Sequence, residues 1–187
     1  HSIDGNVIMT SSKHERASDR CAEALLIYEK KQHIKVDIVV MVQGDEPMIK
    51  SEMISEAINP MLKDSTILVT NLLSNIKTEK EFKSRNSIKV VCDNKSNALY
   101  FSREPIPHMK TYNMNFVKKQ ICVIPFRRDF LIKYTNMDPT ELEVLESVDM
   151  MRVLEHGYHV KMVPTKYDTF AVDTPEDLIN VEKLIKS

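Results

Sequence analysis

The run Ile38-Val39-Val40-Met41-Val42 is apolar at every position and mostly β-branched, and no other feature narrows the fold of this chain as far. A strand that alternates can leave one face in water. A continuous apolar strand needs cover on both faces, as in a sheet held between layers of helices. Further strand-like runs stand at 67–72, 88–92 and 120–124, with a short one at 6–10. Helical patterns lie between them. One covers 19–31 with Ser18 as its cap. A second starts at a Ser51 cap, with Pro60 ending or kinking it. A third, long or broken, covers 141–156 with Gly157 just past its end. The last is the best marked: Thr174 as cap, Pro175 at the first helical position, and Glu176 and Asp177 complementing the helix N-terminus. Such alternation predicts an α/β class with a mainly parallel sheet flanked by helices, in one domain over residues 1–187. The stretch 101–119, carrying Pro105 and Pro107, breaks the rhythm and reads as an arm.

Composition removes several function classes. The formal net charge is -1, so no general polyanion-binding surface is expected, and Trp is absent, which removes the usual stacking platform for single-stranded nucleic acid. Cys21, Cys92 and Cys122 are odd in number and widely spaced, giving neither a zinc motif nor a disulfide framework; Cys21 and Cys122 read as small core residues. No apolar run approaches the ~20 residues that span a bilayer, and no signal peptide opens the chain. The expectation is a cytoplasmic protein with no membrane or nucleic-acid partner. Only Gly5, Gly44 and Gly157 occur, so the chain has neither a GxGxxG nor a P-loop. The start at His1 is abrupt, and the sequence reads as entering partway into a fold.

Four stretches carry chemistry. Val42-Gln43-Gly44-Asp45-Glu46-Pro47 follows the strongest strand. Ligands of open parallel sheets bind beyond the carboxyl ends of strands, and hard oxygen donors there suit Mg²⁺. An ordinary acidic turn gives the same pattern. In Phe170-Ala171-Val172-Asp173-Thr174-Pro175, Asp173 is either a helix-start residue or a second metal carboxylate. Met9-Thr10-Ser11-Ser12-Lys13-His14-Glu15-Arg16-Ala17-Ser18-Asp19-Arg20 packs hydroxyls and cations before a helix, suited to anions and polar base edges or simply a capped helix start. Arg103, Gln120, Arg127 and Arg128 surround the arm; arginine forks match carboxylates, and solvated surface charge is the plain reading of Arg128.

In this order the motifs resemble the CMP-Kdo synthetase family of sugar-activating cytidylyltransferases. VIMTSSKHERASDR, VVMVQGDEPMI, IKVVCDNKSNALYFSREPIP, RVLEHGYHV and FAVDTPEDL carry the resemblance. It implies a GT-A-like, Rossmann-related fold, a homodimer with the arm in its contact, Mg²⁺, and transfer of CMP from CTP to a 3-deoxy-ulosonic acid. Asp45 and Asp173 would be the metal-holding catalytic carboxylates. Thr10, Ser18, Asp19 and Arg20 would line the nucleotide side; Gln43, Arg103, Arg127 and Asp149 would face the sugar acid. The family's opening strand and its PARxxSxRxPxK triphosphate loop have no counterpart here. Ala17 stands for a family Gly. Gln120 and Asp149-Met150 stand where the family has His and Glu-Gln beside its sugar. Two alternatives remain: a non-catalytic remnant of the family, and a GT-A sugar transferase, although the DxD motif usual in the latter is absent.

Overall fold

The computed structural model describes residues 5–110, 113–167 and 169–186. In chain order the elements are α1 (Ala17–Gln32), β1 (Ile38–Val42), α2 (Ser51–Lys63), β2 (Thr70–Asn75), α3 (Glu79–Lys83), β3 (Lys89–Cys92), β4 (Ala98–Ser102), a short 3-10 turn (Met114–Phe116), β5 (Lys118–Ile121), β6 (Val123–Arg127), α4 (Arg128–Thr135), α5 (Glu141–Glu146), α6 (Asp149–Glu155), β7 (Lys161–Pro164) and α7 (Pro175–Lys186).

β5 and β6 form one long strand, interrupted only at Cys122, and this spine organises the sheet. On one side β2 runs antiparallel to it, with Leu72 opposite Ile121 and an isolated bridge between Val69 and Phe126. On the other side β1 pairs antiparallel with β6, Val42 opposite Val123, and β3 pairs antiparallel with β5, Lys89 opposite Lys119. β1 and β3 therefore follow one another along a single flank. Their facing ends, Gln43 and Ile88, bond the spine at Cys122 and Gln120 and leave a gap between them. β7 joins β2 in parallel, and β4 joins β3 antiparallel.

The α/β class holds, but the sheet is mixed, not mainly parallel: among the described strands only β2 and β7 pair in parallel. Alternating helices and strands report crossovers, and β1–α2–β2 is one, since both strands run in the same direction. The pattern does not report which strand comes between them, and here the antiparallel spine does.

The sheet is covered on both faces, as the apolar strands require. α1, α4 and α6 pack over one core that contains Leu25, Met41, Phe126, Tyr134 and Met151. α2 covers the other with Met53 and Ala57 against Leu72, Ile121 and Val163. Met53, Ala57 and Met61 recur every four residues, one stripe of a helix. Each buried Met contributes about 1.5–3 kcal/mol of transfer free energy. β1 is less enclosed than its composition suggests: Ile38, Val39 and Val40 are half-buried and Val42 is 41% exposed. Among the described strands it has one neighbour only.

Several local expectations shift. Residues 5–10 form no strand, and Val7 and Met9 are exposed, because no described strand lies beside them. Arg16, not Ser18, is the N-cap of α1, and Ser18 lies buried in the first turn. α2 continues one turn beyond Pro60 to Lys63, with Lys50 as its N-cap. The predicted helix over 141–156 is broken: Ser147 sits in the left-handed region at φ 52 and separates α5 from α6. Gly157 ends α6 at φ 77, a conformation that suits glycine. Thr174 caps α7 as expected, its Oγ1 accepting from Asp177 N–H. The arm is trimmed at both ends, since Phe101 and Ser102 belong to β4 and Lys118 to β5; Thr111 and Tyr112 lie outside the described residues. No helix among the described residues is long and apolar enough to cross a membrane.

Candidate active site

The gap between β1 and β3 opens into a cavity of about 270 Å³, walled by Arg16, Gln43, Arg103, Gln120, Cys122 and Asp149 among others. The wall residues come from several elements. Gln43 follows β1, Gln120 lies on β5 next to the break at Cys122, Arg103 follows β4, Asp149 begins α6, and Arg16 precedes α1. The left-handed turn at Ser147 lets α6 start afresh, which brings Asp149 to the cavity.

Asp45 and Asp173 do not line this cavity; they lie on adjoining loops, and the charges of both act on Cys122 in its wall. Val172 N–H donates to the Asp45 backbone carbonyl at 2.8 Å, tying the turn after β1 to the entry of α7. Burial, then the neighbouring Asp45 charge, holds the Asp173 carboxyl above its ordinary range, with Arg103 opposing. Asp45 Oδ1 is buried and has no hydrogen-bond partner among the described residues. Glu46, 8% exposed, is raised chiefly by burial and is opposed by Lys119. Gly44 has open space where a Cβ would stand and no left-handed φ, so the turn does not depend on glycine in the way its sequence suggests.

Four of the expected nucleotide residues come together at the α1 entry, with different roles. Arg20 folds the 10–14 loop back onto the helix: it donates to Thr10 Oγ1 at 3.1 Å, to the Ser11 carbonyl at 3.0 Å and to the His14 carbonyl at 3.1 Å. Asp19 is half-buried beside them, while Ser18 is 0% exposed and turned to the interior. On the sugar side, Gln43, Arg103 and Asp149 line the cavity and Arg127 does not. Arg127 pairs in register with Ile38, at the far end of β1, and its guanidinium donates to the Ile67 and Asp64 carbonyls just beyond α2. Arg103 reaches the cavity, yet it donates to the Glu146, Arg85 and Ser147 carbonyls. Met150 is 0% exposed in the core, so its difference from the family's Gln does not alter the cavity wall.

Arg16 is a wall residue to which sequence reasoning gave no role of its own. Its Nη1 donates to Asp149 Oδ1 at 3.0 Å, and its Nε lies 3.8 Å from Glu143. Glu143 is fully buried and accepts a two-point fork from Arg152, both contacts at 2.7 Å. Burial holds the Asp149 carboxyl above its usual range against the pull of Arg16. No sequence signal joins Arg16 to Asp149, because 133 residues separate them.

Cys122 is part of the cavity wall. Burial, and then the charges of Glu46, Asp45, Asp149 and Asp173, push its thiol up to about 12. The thiolate is the reactive species, so at pH 8 Cys122 is expected to remain unmodified by iodoacetamide over a period that fully labels free cysteine. Peptide mass spectrometry checks this, and rapid labelling of Cys122 in the folded protein would contradict the buried acidic surroundings described above.

A protein-family model described as "Cytidylyltransferase" matches residues 1–164. The 3-deoxy-manno-octulosonate cytidylyltransferase of Geotalea uraniireducens strain Rf4 is 40% identical over 198 residues, which cover 100% of this chain and 76% of that protein. The protein of the same name from Geobacter metallireducens is 42% identical over 193 residues, covering 96% and 73%. A solved structure of CMP:2-keto-3-deoxy-manno-octonic acid synthetase complexed with CTP superposes with a TM-score of 0.85 at 30% identity, over 98% of this chain and 73% of that one. The 4-diphosphocytidyl-2C-methyl-D-erythritol synthase of Anaerococcus prevotii, TM-score 0.57 and 16% identical, shares the fold.

Proposed function

The chain belongs to the cytidylyltransferase family, and we propose that it transfers CMP from CTP to the anomeric hydroxyl of 3-deoxy-manno-octulosonate, with release of pyrophosphate. Relatives and a structural neighbour that carry this activity in their names match nearly the whole chain. They favour neither the remnant nor the sugar-transferase alternative. The structural observation that carries the reading is the cavity itself. A polar, hydroxyl-matching wall of Gln43, Gln120 and Asp149 lies beside the tied Asp45 and Asp173 loops.

The reaction needs the sugar oxygen in line with the α-phosphorus while the bond to the leaving pyrophosphate breaks. Holding two reactants in that geometry is itself a large part of such catalysis. In this reading Gln43, Gln120 and Asp149, which line the cavity, orient the acceptor hydroxyls, and Arg20 fixes the loop on which Thr10 stands. Asp45 and Asp173 are the residues that would hold Mg²⁺. The fit is chemical: Asp45 Oδ1 is a buried oxygen without a partner among the described residues, and Asp173 is a second carboxylate within electrostatic reach. Mg²⁺ takes one or two carboxylates with substrate phosphate, and when bound it stabilises charge on phosphoryl oxygens. We further propose a homodimer that uses the loop before β5, where Phe116 is 74% exposed. A cytoplasmic location accords with three free cysteines.

The test is pyrophosphate release from CTP with Mg²⁺, with and without 3-deoxy-manno-octulosonate. Release that depends on the sugar, with formation of its CMP ester, is the expected result. Sugar-independent release, or none, would overturn the proposal.

A further inference from the structure

Asn71 lies on β2 and is 0% exposed. Its side chain fills the break in the spine. Nδ2 is surrounded by main-chain carbonyls: Leu72 at 3.1 Å, Ile121 at 2.7 Å and Val123 at 3.5 Å. Only an NH₂ group can satisfy that set, so the carboxamide has one orientation and Oδ1 points away from them. Oδ1 accepts from Gln120 Nε2 at 2.5 Å. The second carboxamide is fixed by the first. Gln120 must turn its nitrogen inward, because an oxygen there would face Asn71 Oδ1 acceptor to acceptor. Gln120 lines the cavity, and its Oε1 has no protein partner among the described residues.

We propose that Asn71 is a positioning residue for acceptor recognition: it holds the Gln120 carboxamide so that Oε1 faces the cavity as a hydrogen-bond acceptor for a hydroxyl of the sugar acid. The inference rests on the reading of this cavity as the sugar side of a CMP transferase. A rigid buried network sets the polarity of the wall, and a site built to pair a substrate hydroxyl discriminates against analogues that lack it. A freely rotating Gln would offer donor and acceptor alike and would discriminate less.

The experiment is a double-mutant cycle on steady-state kinetics with CTP and 3-deoxy-manno-octulosonate. Gln120→Met removes the carboxamide at similar length. It is expected to raise KM for the sugar acid about tenfold, the usual scale of one hydrogen bond of this kind, with KM for CTP changed less than twofold. Asn71→Thr, too short to reach Gln120, is expected to raise the sugar KM by a similar factor. In the Gln120→Met background it should add nothing, because both variants remove the same contact. A purely structural Asn71 would give additive effects and move both KM values, which overturns the inference. An unchanged sugar KM in Gln120→Met overturns it as well. If Asn71→Thr fails to fold, the Gln120 side-chain resonances of the unaltered protein decide: an exchange-protected Nε2 proton is expected, and two rapidly exchanging ones overturn the inference. Failure of the underlying functional reading would look different, since the unaltered protein would then release no sugar-dependent pyrophosphate.

Discussion

Replacing Asp45 or Asp173 with Asn is expected to lower kcat by about 100- to 1,000-fold, the scale seen when one preorganised electrostatic group is removed from a reacting centre. The expectation follows from how the two side chains are kept. Asp45 Oδ1 is buried without a hydrogen bond among the described residues, an arrangement that costs stability unless a ligand uses it. Asp173 is raised by burial and by the neighbouring Asp45 charge, so the pair is mutually repulsive in the protein alone. Either Asn substitution relieves that repulsion, and the melting temperature should stay level or rise. Loss of turnover with retained or improved stability is the signature of a group kept for chemistry. Normal kcat at limiting Mg²⁺ in either variant would remove both residues from the proposed mechanism. A large fall in Tm alongside lost turnover would mean that the carboxylates hold the loops instead.

The largest effect on stability is expected at Glu143. Its carboxylate is fully buried and holds the Arg152 fork at two points, with Arg16 3.8 Å away. Glu143→Ala leaves the Arg152 guanidinium, itself 5% exposed, without its counter-charge. Breaking a buried pair in this way costs about 3–5 kcal/mol, and at roughly 2–4 °C per kcal/mol for a chain of this size the Tm falls by about 6–20 °C. The double replacement Glu143→Leu with Arg152→Met should recover much of the loss, because a buried pair exchanged for apolar groups of similar volume is often neutral. Thermal unfolding of the three proteins decides it. A single-variant loss below ~1 kcal/mol would show that water reaches Arg152.

How much of this could be read from the sequence depended on the distance over which each signal acts. Local signals were legible in part: Ser18 and Ser51 are not the caps of α1 and α2, and 6–10 forms no strand. The Thr174-Pro175 helix start, the Gly157 helix end and the β1 strand each depend on a few adjacent residues, and each is found where expected. The α/β class follows from the same local patterns. Sheet order does not, since nothing in 38–42 or 70–75 announces that 118–127 will run between them. The site divides in the same way. Asp45 and Asp173 were marked by strand-end and helix-start context. Gln43, Arg103 and Asp149 reach the cavity, but Arg127 was misplaced by its composition, as its fork serves the carbonyls beyond α2. Arg16 and Asn71 carried no signal, because their roles depend on Asp149 and Gln120, far along the chain.

The spine acts as a ruler for the cavity. Both flanking strands hang from it, one on either side of Cys122, so the width of the opening is set by covalent geometry. Gln120 and Cys122 are two residues apart, a span of at most about 6.6 Å, shortened by the bend at Cys122. Lengthening the loop after β1 or the one before β5 would change what overhangs the opening and leave its width alone. One residue inserted beside Cys122 would widen it and, by the two-residue period of a strand, reverse the facing of every side chain beyond the insertion. Natural variation in relatives of this chain should therefore accumulate insertions in those loops and almost none within 118–127, a pattern that an alignment can count.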